Sequence, residues 1–308
     1  MIRKFNAALA AAALSFSLPA HAQNRLDVVA SFSIIGDFAR EVGGDRIKLT
    51  VLVGPNADTH AYEPRPQDAA ALTDAKVILA NGEHFEAFLP RLVEASGAKA
   101  KVTELIDGVT LIETGEHDDE AGHKASHDHG DDEHDPHAFQ SPANAVIYVG
   151  NIAKALCDAD EAGCETYKAN AAAYIQTLHD LDAAMKAQSA AIPPERRTVI
   201  SSHDAFAYFG QTYGIEFHAA EGIATDAAPS AAEIAGLIDQ AREEKASAIF
   251  VENISNPKLV EQIARETGIA FGGTLYSDAL TAADGPAPTY VDLVRYNMAT
   301  IVKAVLPR

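Results

Sequence analysis

The chain has 308 residues, of which 47% are hydrophobic, so it can bury one large core or two of ordinary size. Its formal net charge is −20 at pH 7. Such a surface repels nucleic acid and anionic membranes, which argues against polyanions as partners and favours cations.

The first 22 residues have the parts of a secretory signal peptide. Two basic residues precede an apolar run from Ala7 to Ala20, and the small-residue motif AHA ends at Ala22. We expect cleavage after Ala22. Because no cysteine lies nearby to carry a lipid anchor, and no other segment has about 18 uncharged apolar residues, we expect a soluble periplasmic protein. We also expect it to be a monomer.

Residues 23–164 alternate short β-branched segments with helical ones. The predicted strands are LDVVASF, IKLTVLV, KVILA and KVTELI, and the predicted helices are 34–42, 66–74, 85–96 and 142–156. This alternation is typical of an α/β lobe with a parallel sheet. Residues 113–135 interrupt it with an acidic, His-rich run that has almost no apolar residues, and we predict a mobile loop there.

A stretch without internal glycine or proline, residues 165–191, predicts one long helix. At 1.5 Å per residue it would be roughly 40 Å long, enough to cross the protein. After it the alternation resumes over residues 192–308, with strands RTVISS, IEFHAA, SAIFVE and GIAFGGTL and helices 206–213, 230–244, 257–267 and 290–305. The predicted fold is therefore two α/β lobes with parallel sheets, joined by one long rigid helix.

The chain has two cysteines, Cys157 and Cys164. In an oxidising compartment this pair predicts a small local disulfide. The alternative is a pair of thiols that binds a metal, although the spacing is not C-x-x-C and no further cysteine exists to complete such a site.

Four short segments place a histidine or an aspartate beside a regular element. They are GPNADTHAYEP with His60, DPHAF with His137, ISSHDAF with His203 and TLYSDAL with Asp278. In the absence of free thiols, a divalent metal must be bound by imidazole and carboxylate. Three of the four residues directly follow predicted strands, where open α/β sheets bind ligands. Spacing alone is a moderate signal, because a single loop histidine is more often solvated than ligating.

In this order, and with a long helix between the second and the third, ADTHAYEP, DPHAFQSPANA, VISSHDAFAYFGQTYGI and TLYSDAL resemble the zinc- and manganese-specific substrate-binding proteins of ABC importers. The resemblance covers essentially the whole mature chain. It includes the acidic His-rich loop, which is common in zinc members. It implies two α/β lobes bridged by a rigid helix, one metal in the cleft between the lobes, and delivery to a membrane permease. His60 and His137 would be ligands from the first lobe, and His203 and Asp278 from the second.

The residue at the third position bears on the metal. Manganese-type members of the family usually have a carboxylate where this sequence has His203. Three imidazoles and one carboxylate suit tetrahedral Zn²⁺, whereas Mn²⁺ favours more oxygen ligands, so we predict zinc. The alternatives are a manganese- or iron-binding importer component, and a periplasmic zinc buffer or metallochaperone. We do not expect an enzyme, since H-E-x-x-H, G-x-S-x-G and P-loop motifs are absent and four protein ligands leave no open coordination position.

The acidic run contains further histidines outside these segments. They are His117, His123, His127, His129 and His134. Their irregular spacing gives no common face, so we expect weak, exchangeable metal binding that concentrates the metal or receives it from a periplasmic zinc donor protein. The alternative is a merely solvated loop.

Two other side chains are ambiguous. Glu63 is either an acceptor for an imidazole N–H or a solvated carboxylate. His218 lies in a predicted strand and is expected to be a core or edge residue rather than a ligand.

Overall fold

The structure is a computed structural model that describes residues 25–114, 134–225 and 230–306. The predicted signal peptide lies outside these residues. So do four of the five additional loop histidines: His117, His123, His127 and His129.

The first lobe is built on a four-stranded parallel sheet. Its strands are β1 (Leu26–Phe32), β2 (Ile47–Val53), β3 (Val77–Ala80) and β4 (Val102–Glu104), in the spatial order β2-β1-β3-β4. The helices are α1 (Ser33–Gly43), α2 (Pro66–Asp74), α3 (Leu89–Ser96) and α4 (Pro142–Ala159). The chain leaves β1 towards β2 on one side and returns to β3 on the other, so the carboxyl ends of β1 and β3 flank a crevice.

Helix α3 begins later than predicted, at Leu89 rather than at residue 85. The backbone φ angles of Gly82, Glu83 and His84 are 101°, 47° and 57°. These left-handed residues lie just before the predicted start, and residues 83–88 form turns in place of the first predicted helical turn.

Helix α5 (Cys164–Ser189) connects the two lobes. It buries residues spaced three or four apart, which is the period of one helix face, and this face packs on α1 and α4 of the first lobe and on α6 and α9 of the second. The buried residues are Tyr167, Ala171, Tyr174, Leu178, Leu181, Met185 and Ser189. The turn between α4 and α5 is closed by the predicted disulfide between Cys157 and Cys164, with an S–S distance of 2.03 Å.

The second lobe repeats the arrangement of the first. Its parallel strands are β5 (Thr198–His203), β6 (Glu216–Glu221), β7 (Ala248–Glu252) and β8 (Phe271–Leu275), in the order β6-β5-β7-β8. The helices are α6 (Ala207–Tyr213), α7 (Ala231–Glu243), α8 (Pro257–Thr267) and α9 (Tyr290–Val305). The predicted fold class, two α/β lobes with parallel sheets and a long connecting helix, is confirmed.

The hydrophobic core is continuous across the two lobes. Phe38 of α1 packs its ring 4.7 Å from that of Tyr290 on α9 and 6.2 Å from that of Tyr174 on α5. A second, smaller cluster lies between the second sheet and helices α7 and α8. None of the described helices combines the length and apolar character needed to cross a membrane.

Candidate metal centre

The four residues singled out from the sequence converge at one point between the lobes. One ligand atom from each of His60, His137, His203 and Asp278 lies within 4.8 Å of the other three. Asp278 Oδ2 is central, at 3.1 Å from Nε2 of His203, 3.3 Å from Nε2 of His60 and 3.7 Å from Nε2 of His137. Three side chains are fully buried, and that of His60 is 5% exposed.

The topology of the sheets explains this convergence. His203 is the last residue of β5, and Asp278 lies three residues beyond β8. His60 is in the loop after β2, and His137 directly precedes the 3₁₀ turn that leads into α4. Each lobe therefore contributes two side chains from the carboxyl edge of its sheet, which is where parallel sheets bind ligands.

Several polar atoms in this centre lack hydrogen-bond partners although they are buried. They are His60 Nε2, His137 Nε2 and Asp278 Oδ1. A buried polar atom without a partner costs about 1–3 kcal/mol, so proteins rarely leave several together. A cation at the centre would satisfy them, because neutral imidazole nitrogens and carboxylate oxygens are ligands of divalent metals.

Asp135 fixes the orientation of His137. Its Oδ1 accepts a hydrogen bond from the backbone N–H of His137 at 2.8 Å and lies 2.8 Å from the ring Nδ1. The loop is also held by Asn81, whose amide donates to the carbonyl of Pro136 at 2.8 Å. A carboxylate at Nδ1 favours the tautomer in which Nε2, the atom facing the centre, is free to bind a metal.

Glu252 has the same role for His203 in the second lobe. Its Oε2 lies 2.6 Å from His203 Nδ1, and its Oε1 accepts hydrogen bonds from the backbone N–H groups of Ser202 and His203, each at 2.9 Å. Both Glu252 and His203 are fully buried. The ring Nδ1 therefore faces the carboxylate, although the pair does not form a well-aligned hydrogen bond, while Nε2 points towards Asp278.

The loop that carries His60 is held from both lobes. Asp58 Oδ1 accepts from the backbone N–H of His60 at 2.9 Å, and its Oδ2 accepts from Thr225 Oγ1 of the second lobe at 2.6 Å. The ring of Phe85 lies 4.8 Å from that of His60 and 5.5 Å from that of His137, so it forms an apolar wall beside both imidazoles.

The charges of the four side chains in the centre depend on one another. Burial lowers the pKa of His137, but the negative charges of Asp278 and Asp135 outweigh it and raise that pKa to about 9. Burial likewise opposes the charge of His203, whose pKa is nevertheless raised by Glu252 and Asp278. The pKa of Asp278 is held well below its usual value, because His137 and His203 outweigh the effect of burial. Protons on the imidazoles thus occupy the electrostatic role that a cation would take.

Comparison with known proteins identifies the family. Residues 28–304 match the family model described as "Zinc-uptake complex component A periplasmic". The chain belongs to this family. It is therefore an extracytoplasmic, metal-binding substrate-binding component of an ABC importer, a class of solute-binding proteins that work with membrane permeases and are not enzymes.

Relatives within and around this family carry different metals in their names. The chain is 33% identical over 301 residues to the iron-binding protein YfeA of Yersinia pestis, covering 97% of this chain and 92% of that protein. It is 32% identical over 282 residues to the manganese-binding lipoprotein MntA of Halalkalibacterium halodurans, covering 91% and 88%.

Solved structures show the same fold. A Mn-bound periplasmic metal-binding protein of Candidatus Liberibacter asiaticus superposes with a TM-score of 0.79 at 30% identity, covering 92% of this chain and 100% of that one. The periplasmic zinc-binding protein TroA of Treponema pallidum superposes with a TM-score of 0.82 at 27% identity, with the same coverage.

The structure also locates the side chains that sequence reasoning left open or missed. Glu63 is exposed, so the carboxylates beside the imidazoles are Asp135 and Glu252 instead. Asp135 could have been noticed as the first residue of the DPH motif. Glu252 gives no such signal, because it is 49 residues from His203 along the chain.

His134, the one loop histidine that the structure describes, lies apart from the metal centre. It forms an isolated antiparallel bridge with Glu113, and its Nδ1 lies 3.3 Å from Glu83 Oε2. The backbone N–H of Asp135 next to it donates to the carbonyl of Ile112 at 2.9 Å. The two ends of the acidic segment are therefore joined at its base.

Proposed function

We propose that this protein captures Zn²⁺ through His60, His137, His203 and Asp278 and delivers it to the permease of its ABC importer. The observation that carries the proposal is the convergence of four ligand atoms within 4.8 Å, in a buried centre that contains unpartnered imidazole nitrogens and a carboxylate oxygen. Four such ligands complete a tetrahedral zinc site without water.

The choice of zinc rests on the composition of the centre. Three imidazoles and one carboxylate are a nitrogen-rich set, which zinc accepts readily, whereas manganese prefers oxygen ligands in higher coordination numbers. Manganese or iron is the second candidate, because the relatives named above include an iron-binding and a manganese-binding protein.

A competition titration with Zn²⁺, Mn²⁺ and Fe²⁺ decides the metal. We expect the metal-free protein to bind zinc most tightly. His203→Glu, which replaces an imidazole with a carboxylate, should lower the affinity for zinc more than the affinity for manganese. Tighter binding of manganese or iron by the unaltered protein would contradict the proposal of zinc and leave the importer class in place.

Alanine substitutions test the four ligands. His60→Ala or Asp278→Ala should each lower zinc affinity by more than about 100-fold, since loss of an outer hydrogen-bond partner alone costs 10–100-fold. His179→Ala is the matched control, because His179 is an exposed imidazole on α5. Equal affinities in the ligand variants and the control would refute the assignment.

Delivery is tested in cells that lack this protein. Expression of the full chain should restore uptake of radioactive zinc, and the His60→Ala variant should not. A form without residues 116–133 separates an importer from a buffer. An importer component keeps one tight site and supports uptake, whereas a buffer would lose most of its zinc capacity.

A further inference from the structure

A second group of metal-ligating side chains lies at the edge of the second lobe. Strand β6 is the outermost strand of its sheet, and Glu216 and His218, two residues apart on it, project from the same face. Glu244 directly follows the last residue of α7, which packs on β6. One ligand atom from each of the three side chains lies within 4.8 Å of the other two.

Each member of this group has one polar atom fixed by a neighbour and another directed into the group. Glu216 Oε2 accepts from Thr198 Oγ1 at 3.1 Å, and Oε1 lies 3.9 Å from His218 Nε2. Glu244 Oε1 accepts from Gln240 Nε2 at 3.1 Å, and Oε2 contacts His218 Nε2. Gln240 Nε2 also lies 3.2 Å from His218 Nδ1. Outer atoms held by neighbours and inner atoms that face one another are the arrangement expected around a metal.

The burial of the imidazole sets this group apart from an ordinary acidic surface. The side chain of His218 is 17% exposed, and its Nε2 is shielded from solvent without a well-formed hydrogen bond. Glu216 and Glu244 are more open, at 62% and 37%. A cation can therefore approach from the exposed carboxylate side, and the buried imidazole is already in position to bind it.

We propose that Glu216, His218 and Glu244 form a second, weaker Zn²⁺ site. One imidazole, two carboxylates and a water molecule complete a tetrahedral set of nitrogen and oxygen ligands. When Nε2 binds the cation, Nδ1 carries the proton. A half-turn of the Gln240 amide then presents its oxygen to that proton and gives up the hydrogen bond to Glu244 Oε1. The cation also offsets the repulsion between the two carboxylates.

This second site is separate from the metal centre in the cleft. Glu216 pairs with Thr198 at the beginning of the two strands, whereas His203 pairs with Glu221 at their carboxyl ends. Occupancy of the second site therefore does not depend on the proposed function of the first. The competing explanation is a simple ion pair in which protonated His218 contacts Glu244 and takes no metal.

Equilibrium dialysis of the full chain against ZnCl₂ at neutral pH separates the two explanations. At free zinc well above that needed to fill the cleft, we expect His218→Gln to bind one equivalent less than the unaltered protein. His179→Gln, which removes an exposed imidazole from α5, should lose none. The acidic His-rich segment contributes the same background to all three proteins. Glu244→Gln should weaken the second equivalent without changing the first.

Zinc-soaked crystals give an independent readout, with an expected anomalous difference peak beside His218 Nε2. An unchanged stoichiometry in His218→Gln, or no peak at that atom, would mean that the group is only an ion pair. Equal losses in the His218 and His179 variants would mean non-specific binding by imidazoles, which also overturns the proposal. Retention of the first, tight equivalent verifies that each variant is folded. If His218→Gln also loses the first equivalent, the Glu244→Gln variant tests the second site instead: weaker binding of the second equivalent supports the site, and unchanged binding overturns it.

Discussion

Glu252→Gln tests whether the carboxylate behind His203 sets the metal affinity. The substitution keeps the size of a fully buried side chain and removes only its charge and one acceptor atom. At present Oε1 accepts from the backbone N–H groups of Ser202 and His203, and Oε2 faces His203 Nδ1 at 2.6 Å.

A glutamine at this position has two orientations, and both are unfavourable for metal binding. If the amide oxygen takes the two backbone N–H groups, the amide NH₂ faces Nδ1. Nδ1 must then accept, and the proton of the neutral imidazole moves to Nε2, the atom that faces Asp278. If the amide is reversed, its NH₂ faces two backbone donors, and their lost hydrogen bonds cost about 1–3 kcal/mol.

The expected effect is a loss of zinc affinity of about 10–100-fold. At 1.4 kcal/mol for each factor of ten, this loss corresponds to about 1.4–2.8 kcal/mol. Competition with a zinc-binding fluorescent chelator at constant pH measures it. Asp37→Asn is a suitable control, because Asp37 is also a buried carboxylate that accepts a backbone N–H, from Tyr290, but it pairs with Arg40 and not with a site imidazole.

Asp37→Asn should leave the affinity unchanged even if it lowers stability. An affinity of Glu252→Gln equal to that of the unaltered protein would refute the argument that Glu252 selects the tautomer of His203. Equal losses in both variants would also refute it, since the effect would then come from general destabilisation of the fold.

Three further predictions concern protons, the disulfide and a contact between the lobes. The pKa of His137 is raised from 6.5 to about 9, and that of His203 is raised too. The free energy of unfolding of the protein without metal should therefore fall as the pH rises from 6.5 towards 9. Denaturant titrations with a chelator present measure this change. Zinc affinity should rise over the same pH range, because the metal displaces these protons. Calorimetry in buffers of different ionisation enthalpy should detect the released protons, and the absence of any release would contradict this account. Replacing Cys157 and Cys164 with serine should cost about 2 kcal/mol of stability but leave zinc affinity unchanged, and a loss of affinity would show that the α4–α5 turn influences the centre. Tyr208→Phe should lower the free energy of unfolding by about 1–3 kcal/mol, measured by thermal unfolding. The Tyr208 hydroxyl donates to the backbone carbonyl of Asp135 and accepts from the backbone N–H of Ile112, both in the first lobe. An unchanged stability would mean that water replaces both contacts.

Local periodicity predicted most of the regular elements, because it depends on neighbouring residues alone. The bounds of β1, β2, α2, α8 and α9 in the structure are those read from the sequence. Helix α3 was an exception, since it begins four residues later than predicted and residues 83–88 form turns instead.

The sequence predicted the candidate ligands of the centre but not the carboxylates that contact them. The four converging side chains could be named because each lies in a short motif beside a regular element and because the four motifs, in order, resemble those of a known family. Glu252 could not, because its contact with His203 forms only when β5 and β7 pair in the folded sheet. The identity of the metal was predicted from donor chemistry together with the family resemblance at His203 and in the acidic loop, and the metals named in the relatives differ from one protein to the next.

Contacts between the lobes position the two halves of the centre. On the His60 side, the backbone N–H of Asn56 donates to the carbonyl of Leu280 at 2.8 Å. On the His137 side, the amide of Gln140 donates to the carbonyl of Ser277, the residue before Asp278, at 2.6 Å. Because these bonds lie within a few residues of the candidate ligands, they hold the donor atoms of the two lobes close together. Release of a bound metal must therefore break some of these bonds. We expect the contacts of the His60 loop to break first, since His60 is the candidate ligand whose side chain is partly exposed to solvent.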